Sequence, residues 1–172
     1  MNINIYSRKE MEFILQNGIL QNKAVISFYD PIESYSIEKY SNGVGASSIK
    51  LSFGEKEQDD DNIFMNYRGE IKYYFQIWVL DINYYELEDY GLSYSEFFPE
   101  VDELAKFIKK VVKEEYDIIC QCEYGQGRSA GCAAAILEYY EHSGIKIFAN
   151  YKYCPNQMIF NKLYKALSNC IF

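Results

Sequence analysis

Cys122 and Arg128 stand with five residues between them, Glu123-Tyr124-Gly125-Gln126-Gly127, and Ser129 follows at once. A deprotonated thiol is a strong nucleophile, and a guanidinium is a planar fork that takes two oxygens of a phosphate together. Gly125 and Gly127 permit the positive-φ turns with which a loop wraps an anion. The chemistry on offer is attack by sulfur on a bound tetrahedral oxyanion. Nowhere else in the chain do a nucleophile, an anion cradle and a guanidinium coincide.

Such a group needs a strand to deliver it and a helix to receive it. The apolar run Tyr116 to Cys120 predicts a strand over Ile118–Gln121, and the alanine-rich stretch after the turn predicts a helix over Ser129–His142 with Gly144 beyond its end. A loop in that position points successive N–H groups inward, and the helix dipole adds to their pull on an anion. The loop amides of Glu123 to Arg128 thus become phosphate-binding candidates. The same amides, dipole and guanidinium favour thiolate over thiol at Cys122, and Ser129 is placed to donate a hydrogen bond to the sulfur.

The remaining elements supply the scaffold. Ser7-Arg8-Lys9-Glu10 is a capping box for a short first helix, with Met11, Ile14 and Leu15 as its apolar stripe and Gly18 as the C′ residue. Strands are expected over Ala24–Tyr29, stopped by Asp30-Pro31, over Ile49–Phe53, and over Ile71–Leu80, ending at Asp81. Glu55–Asp61 reads as a solvated acidic loop and Tyr84–Tyr94 as a loop without a clean period. Val101, Leu104, Ile108 and Val111 mark one helix, with Pro99 tolerable only in its first turn. Ile159, Leu163 and Leu167 mark a last helix over Asn156–Ala166. Strands alternating with helices predict an α/β fold, a central and mostly parallel sheet flanked by helices in three layers. Residues 1–172 read as one domain, with the Cys122 turn at the carboxyl end of a strand.

Bulk properties exclude several classes. The 172 residues carry a net charge of −8 and are 49% hydrophobic, which argues against disorder and against a nucleic-acid surface. The 18 tyrosines and 11 phenylalanines have no basic groove beside them, so they read as core and surface filling. No apolar run is long enough to span a bilayer, and residues 1–11 lack a signal-peptide core, so the expected location is cytoplasmic, with no membrane partner. Five cysteines without a CxxC pair argue against a disulfide framework and against a metal site. Cys120 reads as core filler or a resolving thiol, Cys132 as packing, and Cys154 and Cys170 carry no signal. His142, the only histidine, lies a helix length from Cys122 and receives no catalytic role.

The Cys122–Ser129 segment resembles the Cys-x5-Arg-Ser/Thr signature of the cysteine-dependent protein tyrosine phosphatase superfamily, most closely its compact dual-specificity-like branch with small bacterial and viral members. Ala24-Val25-Ile26-Ser27 is similar to that family's first core strand, and Pro155-Asn156 with its helix to the end of the small bacterial members. The resemblance implies a phosphatase-like three-layer sandwich and in-line attack by Cys122 on a phosphomonoester. A phosphocysteine forms and water hydrolyses it, with no cofactor. It also implies an aspartic acid that protonates the leaving oxygen. Asp81, which ends a strand, is the first choice and Asp89 the rival; Glu86 and Glu88 lie between them.

One residue departs from the pattern: Gln121 stands where the family has histidine. A catalytically weak phosphate- or phosphopeptide-binding protein is therefore an alternative. A dinucleotide-binding reading of Gly125-x-Gly127-x-x-x-Gly131 is a minor one, because it leaves Cys122 and Arg128 unexplained. Glu123, Tyr124 and Gln126 include no base, so the expected substrate is a phosphorylated protein or a small aryl phosphate rather than a polyphosphorylated inositide. Loops 41–48 and 84–94 are expected to set the depth of the cleft.

Overall fold

The structure, a computed structural model, describes residues 1–18, 21–30 and 71–170. The strand expected over 49–53, the acidic run 55–61 and the loop 41–48 lie outside the described residues. Among the described residues, four strands form one all-parallel sheet in the order β1-β4-β2-β3. They are β1 (Ile3–Ser7), β2 (Lys23–Tyr29), β3 (Tyr73–Trp78) and β4 (Asp117–Cys122). Helix α1 (Arg8–Gln16) links β1 to β2, and α2 (Val101–Lys113) links β3 to β4. After β4 come α3 (Arg128–Glu141), the short α4 (Ile145–Phe148) and α5 (Gln157–Asn169).

Strand alternation sorts the core into two layers, because side chains two apart share a face. Ile26, Phe28, Ile77, Ile118, Cys120 and Cys122 face α2, α3 and α5 and join the large cluster with Leu104, Ile108, Ile136, Ile159 and Leu163. Val25 and Ile119 face the other way, against Met11 and Leu15 of α1. Helices therefore cover both faces of the sheet, as the near-continuous apolar runs of β2 and β4 require. The expected α/β three-layer sandwich is the observed one.

Several local signals act as expected. Ser7 and Glu10 close the capping box reciprocally, and Gly18 at φ 68° follows the C-cap Asn17. Asn156 caps α5 by accepting from the N–H groups of Met158 and Ile159. Pro99 precedes α2 by two residues and spares the helix interior.

Other features go beyond the local sequence signals. The start of the chain is a strand: β1 pairs with β4 from Ile3↔Ile118 to Ser7↔Cys122. The segment 84–94 contains two 3-10 turns, Tyr84–Glu86 and Glu88–Tyr90. The first is closed by Asn83 and Glu86 in a capping box of its own. The left-handed residue that ends α3 is His142 at φ 52°, while Gly144 opens α4.

At the amino edge of the sheet, Asp117 ties three strands. It accepts from the Asn2 N–H at 2.8 Å and from Lys23 Nζ at 2.7 Å. The Lys23 bond, then the Asn2 bond, holds its carboxyl down at about 2. A depressed carboxylate contributes stability above its ordinary range and loses it as pH falls through the folded value. Asp117→Asn is thus expected to destabilise the chain by about 1 kcal/mol at pH 7, a figure discounted for partial exposure. The difference from the parent in chemical denaturation should shrink between pH 4 and pH 2.

Candidate active site

All four strands end at one edge, and the site is assembled there. Cys122 is the last residue of β4 and 1% exposed. Its Sγ lies 3.0 Å from Ser129 Oγ, on the first turn of α3. Arg128 opens α3 and is 2% exposed.

The loop between them is fixed from outside through its carbonyls. Glu123 O accepts from the Arg8 N–H, Gln126 O from Cys154, and Gly127 O from both Gly131 and Asn156. A trans peptide points its N–H opposite to its carbonyl. The amides of Tyr124, Gly127 and Arg128 therefore turn away from those outer partners. Among the described residues no hydrogen bond takes up the N–H groups of 124–128. Gly125, Gly127 and Arg128 are buried or half-buried; such backbone donors without a partner are rare, and at a helix N-terminus they can hold an anion.

The two glycines of the loop serve different needs. Gly125 has φ 66°, and a Cβ there would lie 2.6 Å from Ser7 N and 2.8 Å from Tyr6 C. It is glycine for both its conformation and its closeness to the β1–α1 junction. Gly127, expected at positive φ, has φ −96°. Its reason is contact: a Cβ there would run into the carboxylate of Asp81.

The guanidinium of Arg128 is gripped by the ends of β2 and β3. Nη1 donates to Val79 O at 3.0 Å, Nη2 lies 3.6 Å from Asp30 Oδ2, and Nε lies 3.8 Å from Asp81 Oδ2. Nε is buried without a hydrogen bond. Asp81 is held in place by Asn156, whose Nδ2 donates to Asp81 Oδ1 at 3.0 Å and to Ile82 O at 2.9 Å.

Of the residues expected at the site, Cys122, Arg128, Asp81, Ser129, Gly125 and Gly127 are brought together. Glu123 and Gln126 lie exposed on the loop, and Tyr124 is 76% exposed. Asp89 sits exposed in the second 3-10 turn, with no ion pair to Arg128 among the described residues. Glu86 is occupied in accepting from the Asn83 N–H. Gln121 points to the opposite face of β4 from Cys122 and accepts a hydrogen bond from Ser27 Oγ, its register partner on β2. Cys120 and Cys132 are fully buried with their sulfurs 3.8 Å apart.

The sequence reading missed Asp30. In the sequence it reads only as the stop of β2, yet parallel pairing of β2 beside β4 carries it to the guanidinium. Burial raises the Asp30 carboxyl above its ordinary value; Arg128 opposes the rise, and Asp81 and Glu123 add to it.

No protein-family model matches the sequence, and no curated protein matches it. Among solved structures the chain is similar to PTPMT1 in complex with PI(5)P, at 8% identity and a TM-score of 0.49, covering 97% of this chain and 90% of that one. It is likewise similar to a second PTPMT1 structure, at 11% identity and a TM-score of 0.49 with the same coverage.

Two outcomes follow from this geometry. Gly125→Ala combines a left-handed φ with overlap on backbone, and should lower stability by at least about 2 kcal/mol in denaturant titration. Asp30 loses its proton above the usual carboxylate range, adding a negative charge beside Arg128. Sulfate stays dianionic over this range, so its affinity for the Cys122→Ser protein should fall as pH rises from 4 to 7. The fall should be shallower in Cys122→Ser/Asp30→Asn, as read by calorimetry.

Proposed function

We propose that the chain is a phosphomonoester hydrolase of the protein tyrosine or dual-specificity phosphatase kind, acting through a phosphocysteine on Cys122. The observation that carries this reading is the run of unpartnered amides at 124–128, closed by a buried Arg128 and lying beside a thiol within reach of Ser129. An anion drawn into the cradle meets the sulfur. The thiolate attacks phosphorus in line, an S–P bond forms and the O–P bond to the leaving group breaks. Asp81 gives its proton to the departing oxygen. Asp81 then takes a proton from the water that cleaves the S–P bond and releases phosphate, regenerating the thiolate. Arg128 and the loop amides hold the phosphoryl oxygens as charge shifts onto them. Ser129 donates to the sulfur when it leaves. Substrates are phosphorylated proteins or small aryl phosphates, and the location is the cytoplasm.

The reading of a weakly active phosphopeptide-binding protein is favoured by one observation. Gln121 is engaged with Ser27 across the sheet and brings no charge to the loop. Turnover separates the two readings. With EDTA present, the chain is expected to hydrolyse p-nitrophenyl phosphate, with inhibition by vanadate and a loss of about 10⁴-fold or more in Cys122→Ser. Phosphopeptide binding without hydrolysis supports the weaker reading.

Asp81 is tested through the leaving group. Asp81→Asn should slow phenyl phosphate by about 10²-fold or more. It should slow p-nitrophenyl phosphate less, because nitrophenolate departs without needing a proton. Equal effects on both substrates, or no effect, would remove Asp81 as the proton donor and turn attention to Asp89.

A further inference from the structure

Among the described residues, the rim of the anion cradle holds more negative charge than its cations balance. Asp30 and Asp81 flank the guanidinium at 3.6 and 3.8 Å, and Glu123 is close enough to Asp30 to raise its carboxyl. Arg8 approaches Glu123 at 3.7 Å but shares itself with Glu12 at 3.5 Å. Lys152 lies 3.9 Å from Glu10. The surplus is carboxylate even while Asp81 holds the proton it gives to the leaving group, because Asp30, Glu123, Glu12 and Glu10 still outnumber Arg128, Arg8 and Lys152.

Set against that surplus are features that call for an anion: the buried Nε of Arg128 without a hydrogen bond and the unpartnered amides of the loop. A bare dianion entering the cradle would meet Asp30 and Glu123 as like charges. The two demands agree when the molecule that brings the phosphate also brings a cation beside it. Asp30 is placed to meet that cation. Its side chain packs against Arg128 on one side and is 45% exposed on the other. Exposed rings stand on the same segments: Tyr124, two residues after Cys122, and Tyr85, four after Asp81, are 76% and 90% exposed. Such rings offer faces to an ammonium or guanidinium group.

We propose that the site selects phosphopeptides with lysine or arginine next to the phosphorylated residue, and that Asp30 is the specificity residue that reads this cation. The proposal rests on the phosphatase reading of the same site. It distinguishes the substrate from polyanionic carriers: an inositol polyphosphate adds negative charge where the rim already has too much.

The test is a series of phosphotyrosine hexapeptides alike except for their flanks, which are lysine/arginine, alanine or glutamate, assayed with the full chain. The expected kcat/KM is about tenfold higher for basic than for neutral flanks and lower again for acidic ones. The preference should shrink as NaCl is raised from about 0.05 to 0.5 M, because rim charges are screened. In Asp30→Asn the basic-to-neutral ratio should fall toward one, which a merely structural role of Asp30 would not produce. Should Asp30→Asn fail to fold, the salt dependence of the ratio in the parent chain decides.

Equal kcat/KM across the series, a preference for acidic flanks, or faster turnover of an inositol polyphosphate than of any peptide would overturn the proposal. p-Nitrophenyl phosphate has no flank and reports on the phosphatase reading separately. If it is not hydrolysed, the same peptides are measured by fluorescence anisotropy. Tighter binding of the basic peptide sustains the proposal, and equal or absent binding overturns it.

Discussion

Arg128 is a permanent charge with almost no access to water, and the carboxyl edge of the sheet is arranged around it. Removing an ion from water costs several kcal/mol unless partners replace the solvent. One neutral carbonyl, Val79 O, does so with a good hydrogen bond, while the carboxylates of Asp30 and Asp81 stand beyond hydrogen-bond reach. The charge is thus stabilised by Coulomb attraction, while its donors remain open to a better acceptor. This balance depends on strand order. β4 delivers the loop from inside the sheet, β2 pairs beside it and is followed by Asp30, and β3 pairs next and is followed by Val79 and Asp81.

The cradle and its carboxylate neighbour belong to one hydrogen-bonded body. Asn156 caps α5 with its side-chain oxygen, holds Asp81 and Ile82 with its side-chain nitrogen, and donates its backbone N–H to Gly127 O. From the other side, the β1–α1 junction donates to Glu123 O and presses on Gly125. The loop carbonyls are therefore bound before any ligand arrives. On the proposed reading, an anion need only accept from amides already aimed, which is the condition for strong electrostatic stabilisation at a developing charge. Gly127 completes the arrangement by leaving room for the Asp81 carboxylate, where even a methyl group would collide.

How much of this was legible in the sequence depended on the range of the interaction. The strand, loop and helix around Cys122 could be read because each signal is local: an apolar run, two glycines, an alanine-rich stretch. The caps at Ser7 and Asn156 were legible for the same reason. β1 was missed although Ile3 and Ile5 alternate with asparagines. Five residues of half-buried edge strand make a weak pattern until β4 pairs with them. The role of Gly127 was misread because its constraint is a side chain 46 positions earlier in the chain, and Asp30 was missed because only the parallel register of β2 beside β4 brings it to Arg128. In the sequence, the strand end favours Asp81 and the spacing to Cys122 favours Asp89. The fold separates them by placing one against the guanidinium and the other in an exposed turn.

Gln121 shows how the sheet constrains the chemistry at its edge. Side chains alternate along β4, so the residue before Cys122 must face α1, away from the sulfur. There it is buried opposite Ser27, and the two polar groups satisfy each other across the β2–β4 pair. Leaving either one unpaired in that layer would cost about 1–3 kcal/mol. The tie anchors the last turn of strand before the loop, and it is neutral at every pH. On the proposed mechanism, the sulfur then gains nothing from a titrating neighbour at position 121. Its activation has to come from the loop amides, Ser129, Arg128 and the start of α3. The amides and the start of α3 are set by backbone geometry, and Arg128 by Val79 O, Asp30 and Asp81, so on that mechanism reactivity at Cys122 depends on the whole carboxyl edge of the sheet and not on position 121.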